Sequence, residues 1–174
     1  MINIVLMKKS KELEDFCYSL GYEKTWFLDS EFVLLEGNNK KKILQLTQQA
    51  HARKMRAIYS ASDEEMLRFV LEKTDVDLVC GFEKIHPKDS THFLRGGLDQ
   101  ILCKIAHDRE KILLFSFALI LNSTERGKLL GRMMFNISLC KKYGVKFMLN
   151  NFCSERLELR SAKDLEAMGR VLGI

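Results

Sequence analysis

Proline is nearly absent from this chain, which places one, Pro87, among 174 residues. That excludes a collagenous or proline-rich linker protein, and 47% apolar with 29% charged residues excludes a disordered one. Long apolar runs are missing too. The longest, Ile112 to Leu121 interrupted by Ser116, falls well short of the roughly 20 residues a membrane-spanning helix needs. Met1 to Met7 has neither a basic segment before it nor a small-residue cleavage site after it, so no signal peptide is read and a cytoplasmic location is expected. The cysteines, Cys17, Cys80, Cys103, Cys140 and Cys153, are odd in number and hold no Cys-x-x-Cys pair. A disulfide frame and a zinc site are therefore disfavoured, and most of these thiols read as small core residues.

Known phosphate and nucleophile signatures are lacking as well. No G-x-G-x-x-G follows an apolar run, no G-x-x-x-x-G-K-[ST] occurs, and no G-x-S-x-G marks a nucleophile turn. Cys153, taken as an exposed thiol, has no histidine in its own segment.

What is present is a pattern. Short β-rich runs occur at Ile2–Leu6, Thr25–Leu28, Phe32–Leu35, Arg56–Tyr59, Val76–Cys80, Ile112–Phe117 and Val145–Leu149. They lack polar alternation, as strands covered on both faces do. Amphipathic stripes lie between most of them: Leu13, Phe16, Cys17 and Leu20, then Ile43, Leu44, Thr47 and Ala50, then Leu98, Ile101, Leu102 and Ile105. Ser62 and Glu65 have capping-box spacing ahead of another stripe. The longest helix is expected from Thr124 to Tyr143 and ends at Gly144. No linker divides the chain, so one domain over residues 1–174 is expected. Alternating strands and helices imply a parallel α/β sheet. About seven strands in 174 residues imply a trimmed TIM-like (β/α) barrel, with no room for a helix at Asp29 and Ser30.

Charge is divided unevenly. Residues 1–75 hold 12 Lys or Arg and 12 Asp or Glu, whereas residues 76–174 hold 16 and 11, so the whole +5 excess lies in the second part. A basic half suits an acidic partner such as RNA. The segment Gly81 to Gly97 carries the proline, two histidines, three basic residues and a Gly-Gly pair ahead of a helix. Gly96 and Gly97 could form a phosphate-binding backbone nest, with Arg95, Lys88 and Lys84 nearby. Phe82 to Phe93 is expected as an irregular basic loop, and the next helix as Gly97 to His107. His86 and His92 are weak metal-ligand candidates, because the first strand supplies no histidine or carboxylate. Lys128 and Arg132, four residues apart on one helix, are placed to meet two phosphates. Met134 and Phe135 widen that helix's apolar band beyond one stripe and are candidates for a protein interface.

The stretches VDLVCGFEKIHPKDSTHFLRGGLDQILCKIA, LLFSFALILNS, ERGKLLGRMMFNISLCKKYGVKFMLNNFCSE and LRSAKDLEAMGRVLGI resemble the archaeal ribonuclease P protein component 3, the thirty-kilodalton subunit family, over about residues 76–174. The resemblance implies a barrel related to the polymerase-and-histidinol-phosphatase group, used as a noncatalytic RNA-binding subunit. The catalytic RNA would remove the 5′ leader of precursor tRNA, with magnesium serving that RNA and no cofactor on the protein. The implied partners are the ribonuclease P RNA, precursor tRNA indirectly, and a small ferredoxin-like subunit in a heterotetramer, with no membrane. It further implies RNA contacts at Lys88, Arg160 and Lys163, to which spacing adds Arg95, Lys128 and Arg132. Gln100 stands where many relatives carry a histidine, and the chain stops soon after Gly173, so a less completely closed barrel is expected. The alternative function is a metal-dependent phosphoesterase using the loop histidines.

Overall fold

The computed structural model describes residues 1–174 as one sheet of seven parallel strands in sequence order: β1 Ile2–Lys8, β2 Lys24–Leu28, β3 Phe32–Leu35, β4 Arg56–Ser60, β5 Leu78–Cys80, β6 Ile112–Ser116 and β7 Lys146–Asn150. Seven helices accompany them: α1 Lys11–Ser19, α2 Lys40–Ala52, α3 Glu64–Lys73, α4 Gln100–Asp108, α5 Phe117–Asn122, α6 Arg126–Tyr143 and α7 Ala162–Leu172. The expected trimmed barrel architecture is what the chain adopts.

Strand residues alternate between two buried layers, which explains why their sequences show no polar alternation. Ile4, Trp26, Phe32, Ile58, Leu78, Cys80 and Leu114 point inward and fill the barrel with Phe152. Their neighbours Ala57, Tyr59, Val79, Leu113 and Phe115 point outward into a larger core with α2, α3, α4 and α6. A third cluster places Leu13 and Cys17 of α1 and Leu165 of α7 against Val5 and Phe27. β2 and β3 share only the pair Leu28–Phe32. The chain steps sideways through Asp29, at φ 61°, without turning back, so no crossover helix is needed there.

β1 and β7 form no strand ladder with each other. Residues at and after the end of β7 bridge that seam. The Asn150 side chain acts as a peptide unit: its Oδ1 accepts from the Ile4 amide at 2.6 Å and its Nδ2 donates to the Ile2 carbonyl at 2.8 Å. Phe152 then donates to Ile4, and Leu6 donates to Cys153. Phe152 adopts φ 43°, a conformation rare for a bulky residue, where its side chain joins the barrel interior beside Phe32. These bonds bridge the seam, yet no strand ladder closes it, in keeping with the expected less completely closed barrel.

Several boundaries differ from the sequence reading. The strand read as Ile112–Phe117 ends at Ser116, whose hydroxyl caps α5 by accepting from Leu119, so the following apolar residues form a helix. Asp63 rather than Ser62 caps α3, because its carboxylate reaches the Met66 amide. Leu44 and Ile101 lie exposed, since burial follows Ile43 with Thr47 on α2 and Leu102 with Cys103 on α4. α6 starts at Arg126 and ends, as expected, at Gly144 with φ 67°. No helix is long and apolar enough to cross a membrane.

Candidate functional site

In parallel barrels the loops after the strands build the functional face. Here the loop after β5 dominates it. Gly81, at φ 76°, turns the chain into a single 3-10 turn, Phe82–Lys84, and residues 85–99 continue without regular structure until Asp99 caps α4 by accepting from Leu102. The expected irregular loop is present, and its helix begins at Gln100 instead of Gly97.

Helix α6 pins this loop. Arg132 is only 3% exposed. Its Nε donates to Asp89 Oδ1 at 2.9 Å, and its Nη1 donates to the carbonyls of Glu83 and His86, each at 2.7 Å. Its Nη2 lies 2.8 Å from the same Asp89 oxygen without hydrogen-bond alignment. The Asp89 carboxyl is held below the usual carboxylate range by the Arg95 amide it accepts from and by Arg132. One turn earlier, Lys128 Nζ donates to the Pro87 carbonyl at 2.7 Å and pairs with Glu125. One turn later, Asn136 Nδ2 donates to the Gly96 carbonyl.

This geometry corrects two expectations. Arg132 is not a phosphate contact, because its guanidinium is buried and committed to the loop, and Lys128 is half-committed in the same way. The Gly96–Gly97 pair is not an anion nest. A Cβ on Gly96 would come 2.4 Å from Asn136 Oδ1, and one on Gly97, at φ 88°, would come 1.9 Å from the Phe82 carbonyl oxygen. Both glycines are close-packing requirements, and the helix that follows is already capped by the Asp99 carboxylate.

Lys88, Arg95 and Lys163 are exposed. No hydrogen bond or ion pair within the chain engages their charged groups. Arg160 is half-buried, and its Nη1 donates to the carbonyls of Leu157 and Leu159, so its charge also holds its own loop. Lys88 and Arg95 lie on the loop after β5, Arg160 on the segment after β7 and Lys163 on the first turn of α7. Asn122 of α5 bonds to Glu158 beyond β7, and Lys128 bonds to the loop after β5, tying the three loops together. Met134 and Phe135 are 47% and 38% exposed. The sequence reading missed Phe93, 64% exposed, and Leu94, which line a cavity of about 370 Å³ together with Phe135. The signal was available as two adjacent apolar residues in the otherwise polar stretch from Lys88 to Arg95.

The barrel mouth holds a cavity of about 290 Å³ whose polar lining includes Glu36, Lys84, Glu158, Ser60, Ser116 and Ser154, with no histidine. His51 pairs with Asp77, His107 with the Gly144 carbonyl, and His86 faces Glu64 at 3.8 Å. Nowhere do three His, Cys, Asp or Glu side chains come together as a metal-binding set. All five cysteines are buried. That corrects the reading of Cys153 as exposed, and burial pushes its thiol above the usual range, away from nucleophilic use. Glu83 is the unusual acid: it is buried with neither carboxylate oxygen hydrogen-bonded, and burial pushes it up to about 7.

No known family model matches the chain, and no curated protein matches it in sequence. Solved structures do match in fold. A chain in a cryo-EM structure of archaeal ribonuclease P with mature tRNA superposes with TM-score 0.83 over 99% of this chain and 82% of that one, at 18% identity. An amidohydrolase and a prolidase complexed with N-methylphosphonate-L-proline each match with TM-score 0.54, over 75% and 78% of this chain but only 35% and 33% of theirs, at 11% and 12% identity. The chain has the barrel fold of the archaeal ribonuclease P chain over nearly its whole length, and shares a smaller portion with the amidohydrolase and prolidase structures.

Proposed function

We propose that this protein is a noncatalytic subunit of ribonuclease P, binding and stabilising the catalytic RNA that removes the 5′ leader from precursor tRNA. The observation that carries this reading is the near-complete superposition on a chain of archaeal ribonuclease P bound to mature tRNA. The free cations support it: Lys88 and Arg95 on the loop after β5 and Lys163 on the first turn of α7 suit a phosphate backbone. In this reading the subunit acts in the cytoplasm, magnesium belongs to the RNA, and the protein carries no cofactor. A small ferredoxin-like subunit packs on the exposed apolar side of α6 at Met134, with Phe135 at the border of that surface, in a heterotetramer.

The test is reconstitution with the cognate RNA and the remaining protein subunits, followed by precursor-tRNA cleavage at limiting magnesium. Adding this chain should lower the magnesium needed for half-maximal cleavage. Unchanged cleavage together with no binding to the RNA would sink the proposal. The phosphoesterase alternative would return only if the purified chain, supplied with a divalent metal, hydrolysed a phosphoester.

A further inference from the structure

The cavity between the loop after β5 and helix α6 combines features that the phosphate contacts proposed above do not use. Phe93 and Leu94 line it from the loop, Phe135 and Leu139 line it from α6, and at about 370 Å³ it has room for a nucleotide. The Gly96 and Gly97 backbone contributes to its lining, and Gln100 and His86 supply polar edges. Phe93 stays 64% exposed on this loop.

Charge decides between occupants. Within this loop the acid Asp89 is already satisfied by Arg132 and the Arg95 amide, and Asp99 is engaged as the α4 cap. Glu64, which also lines the cavity, faces His86. The free charges on the loop itself are the cations Lys84, Lys88 and Arg95, and of these Arg95 lines the cavity. An exposed aromatic ring beside the uncommitted Arg95 guanidinium fits single-stranded nucleic acid, whose unpaired bases offer a π-face between phosphates; a duplex keeps its bases stacked inside. We propose that this cavity receives an unpaired RNA nucleobase, stacked on Phe93, with Arg95 on a flanking phosphate. The inference rests on the RNA-binding reading above and names which part of the RNA this loop takes.

The chain has one tryptophan, Trp26, inside the barrel, so a Phe93→Trp variant can be read against the parent as blank. Short single-stranded oligoadenylate should quench the new indole, and an RNA duplex of the same length should not. Phe93→Ser should weaken oligoadenylate binding roughly five- to a hundred-fold, as loss of one stacked base does. Its logarithmic salt slope should stay at the parental value, because no cation is removed, whereas Arg95→Ala should lower that slope. Phe93→Tyr should restore affinity. Parental binding with an unresponsive indole and an unaltered Phe93→Ser affinity would overturn the base slot while leaving the subunit reading intact. An indole that responds only to another protein subunit would assign the cavity to a protein and also overturn it. A parent chain that binds neither oligoadenylate nor ribonuclease P RNA would remove both readings together.

Discussion

Arg132 and Lys128 sit one turn apart on α6, and the fold turns both toward the loop they hold. Replacing Arg132 with alanine strands Asp89 and the carbonyls of Glu83 and His86 without their donor. Hydrogen bonds to charged groups contribute about 1.5–3 kcal/mol each, reduced here because Asp89 is partly exposed. The expected loss is about 2–3 kcal/mol of stability, seen as a lower urea midpoint, and Arg132→Lys should not rescue it because an ammonium cannot match the planar fork. An unchanged midpoint would mean that the loop is not held by this side chain. Glu83 carries a pH signature. Its folded-state pKa is raised to about 7 from an ordinary 4.5, so between those values the folded chain keeps a proton that the unfolded chain has lost. This contribution is full below about 4.5 and disappears as pH rises through about 7. Relative to Glu83→Gln, the parent should lose stability over that window, on the order of 3 kcal/mol; parallel pH profiles for the two proteins would contradict the assignment.

At the scale of elements, the loop after β5 divides its cations into inward and outward sets. Arg132 and Lys128 of α6 anchor it, while Lys88 and Arg95 face solvent. The Lys163 side chain on the first turn of α7 belongs with the outward set, and Arg160 just before it belongs mainly with the anchors. Affinity for ribonuclease P RNA should therefore fall with salt, and each of Lys88→Ala and Lys163→Ala should reduce the log–log slope by about 0.7–0.9, with stability changed by no more than about 0.5 kcal/mol. Arg160→Ala should behave differently, lowering thermal stability because the carbonyls of Leu157 and Leu159 lose their donor. Salt titrations paired with melting curves separate the two classes. If Lys88→Ala and Lys163→Ala both leave the slope at the parental value, these lysines are solvated surface charges.

For the molecule as a whole, the Asn150 side chain bridges the seam alongside the Phe152–Ile4 and Leu6–Cys153 backbone bonds. Asn150 exchanges two hydrogen bonds with β1 where no strand ladder exists, and Asn151 beside it reinforces the seam through Asn3 and Tyr22. Asn150→Leu keeps a similar volume but leaves the Ile4 amide and Ile2 carbonyl unpaired, each at about 1–3 kcal/mol. The expected result is a loss of about 2–5 kcal/mol, with faster amide exchange at Ile4 than elsewhere in the barrel. Exchange at Ile4 as slow as in the parent would show that the seam does not rely on Asn150.

Local patterns carried much of this architecture in legible form. Strands buried on both faces must be apolar throughout, so the seven runs could be read directly, and the brief Asp29–Ser30 connection left no length for a helix. Gly144 announced the end of α6 because a left-handed residue is needed there. The unusual character of residues 81–97 was equally plain from composition. Spacing could not tell which way a cation points: Lys128 and Arg132 share a helix face whether that face meets solvent or a folded loop, and only the position of the loop carbonyls turns them inward. The same limit applies to Gly96 and Gly97, whose neighbours Asn136 and Phe82 are distant in sequence. It applies to Asn150, whose role exists only once the sheet has curled far enough to bring Ile4 beside it. Periodicity and chain length determined the strands, the helices and the basic half; long-range packing decided which charges remain free, because hydrogen-bond partners far apart in the chain are chosen only when the barrel forms.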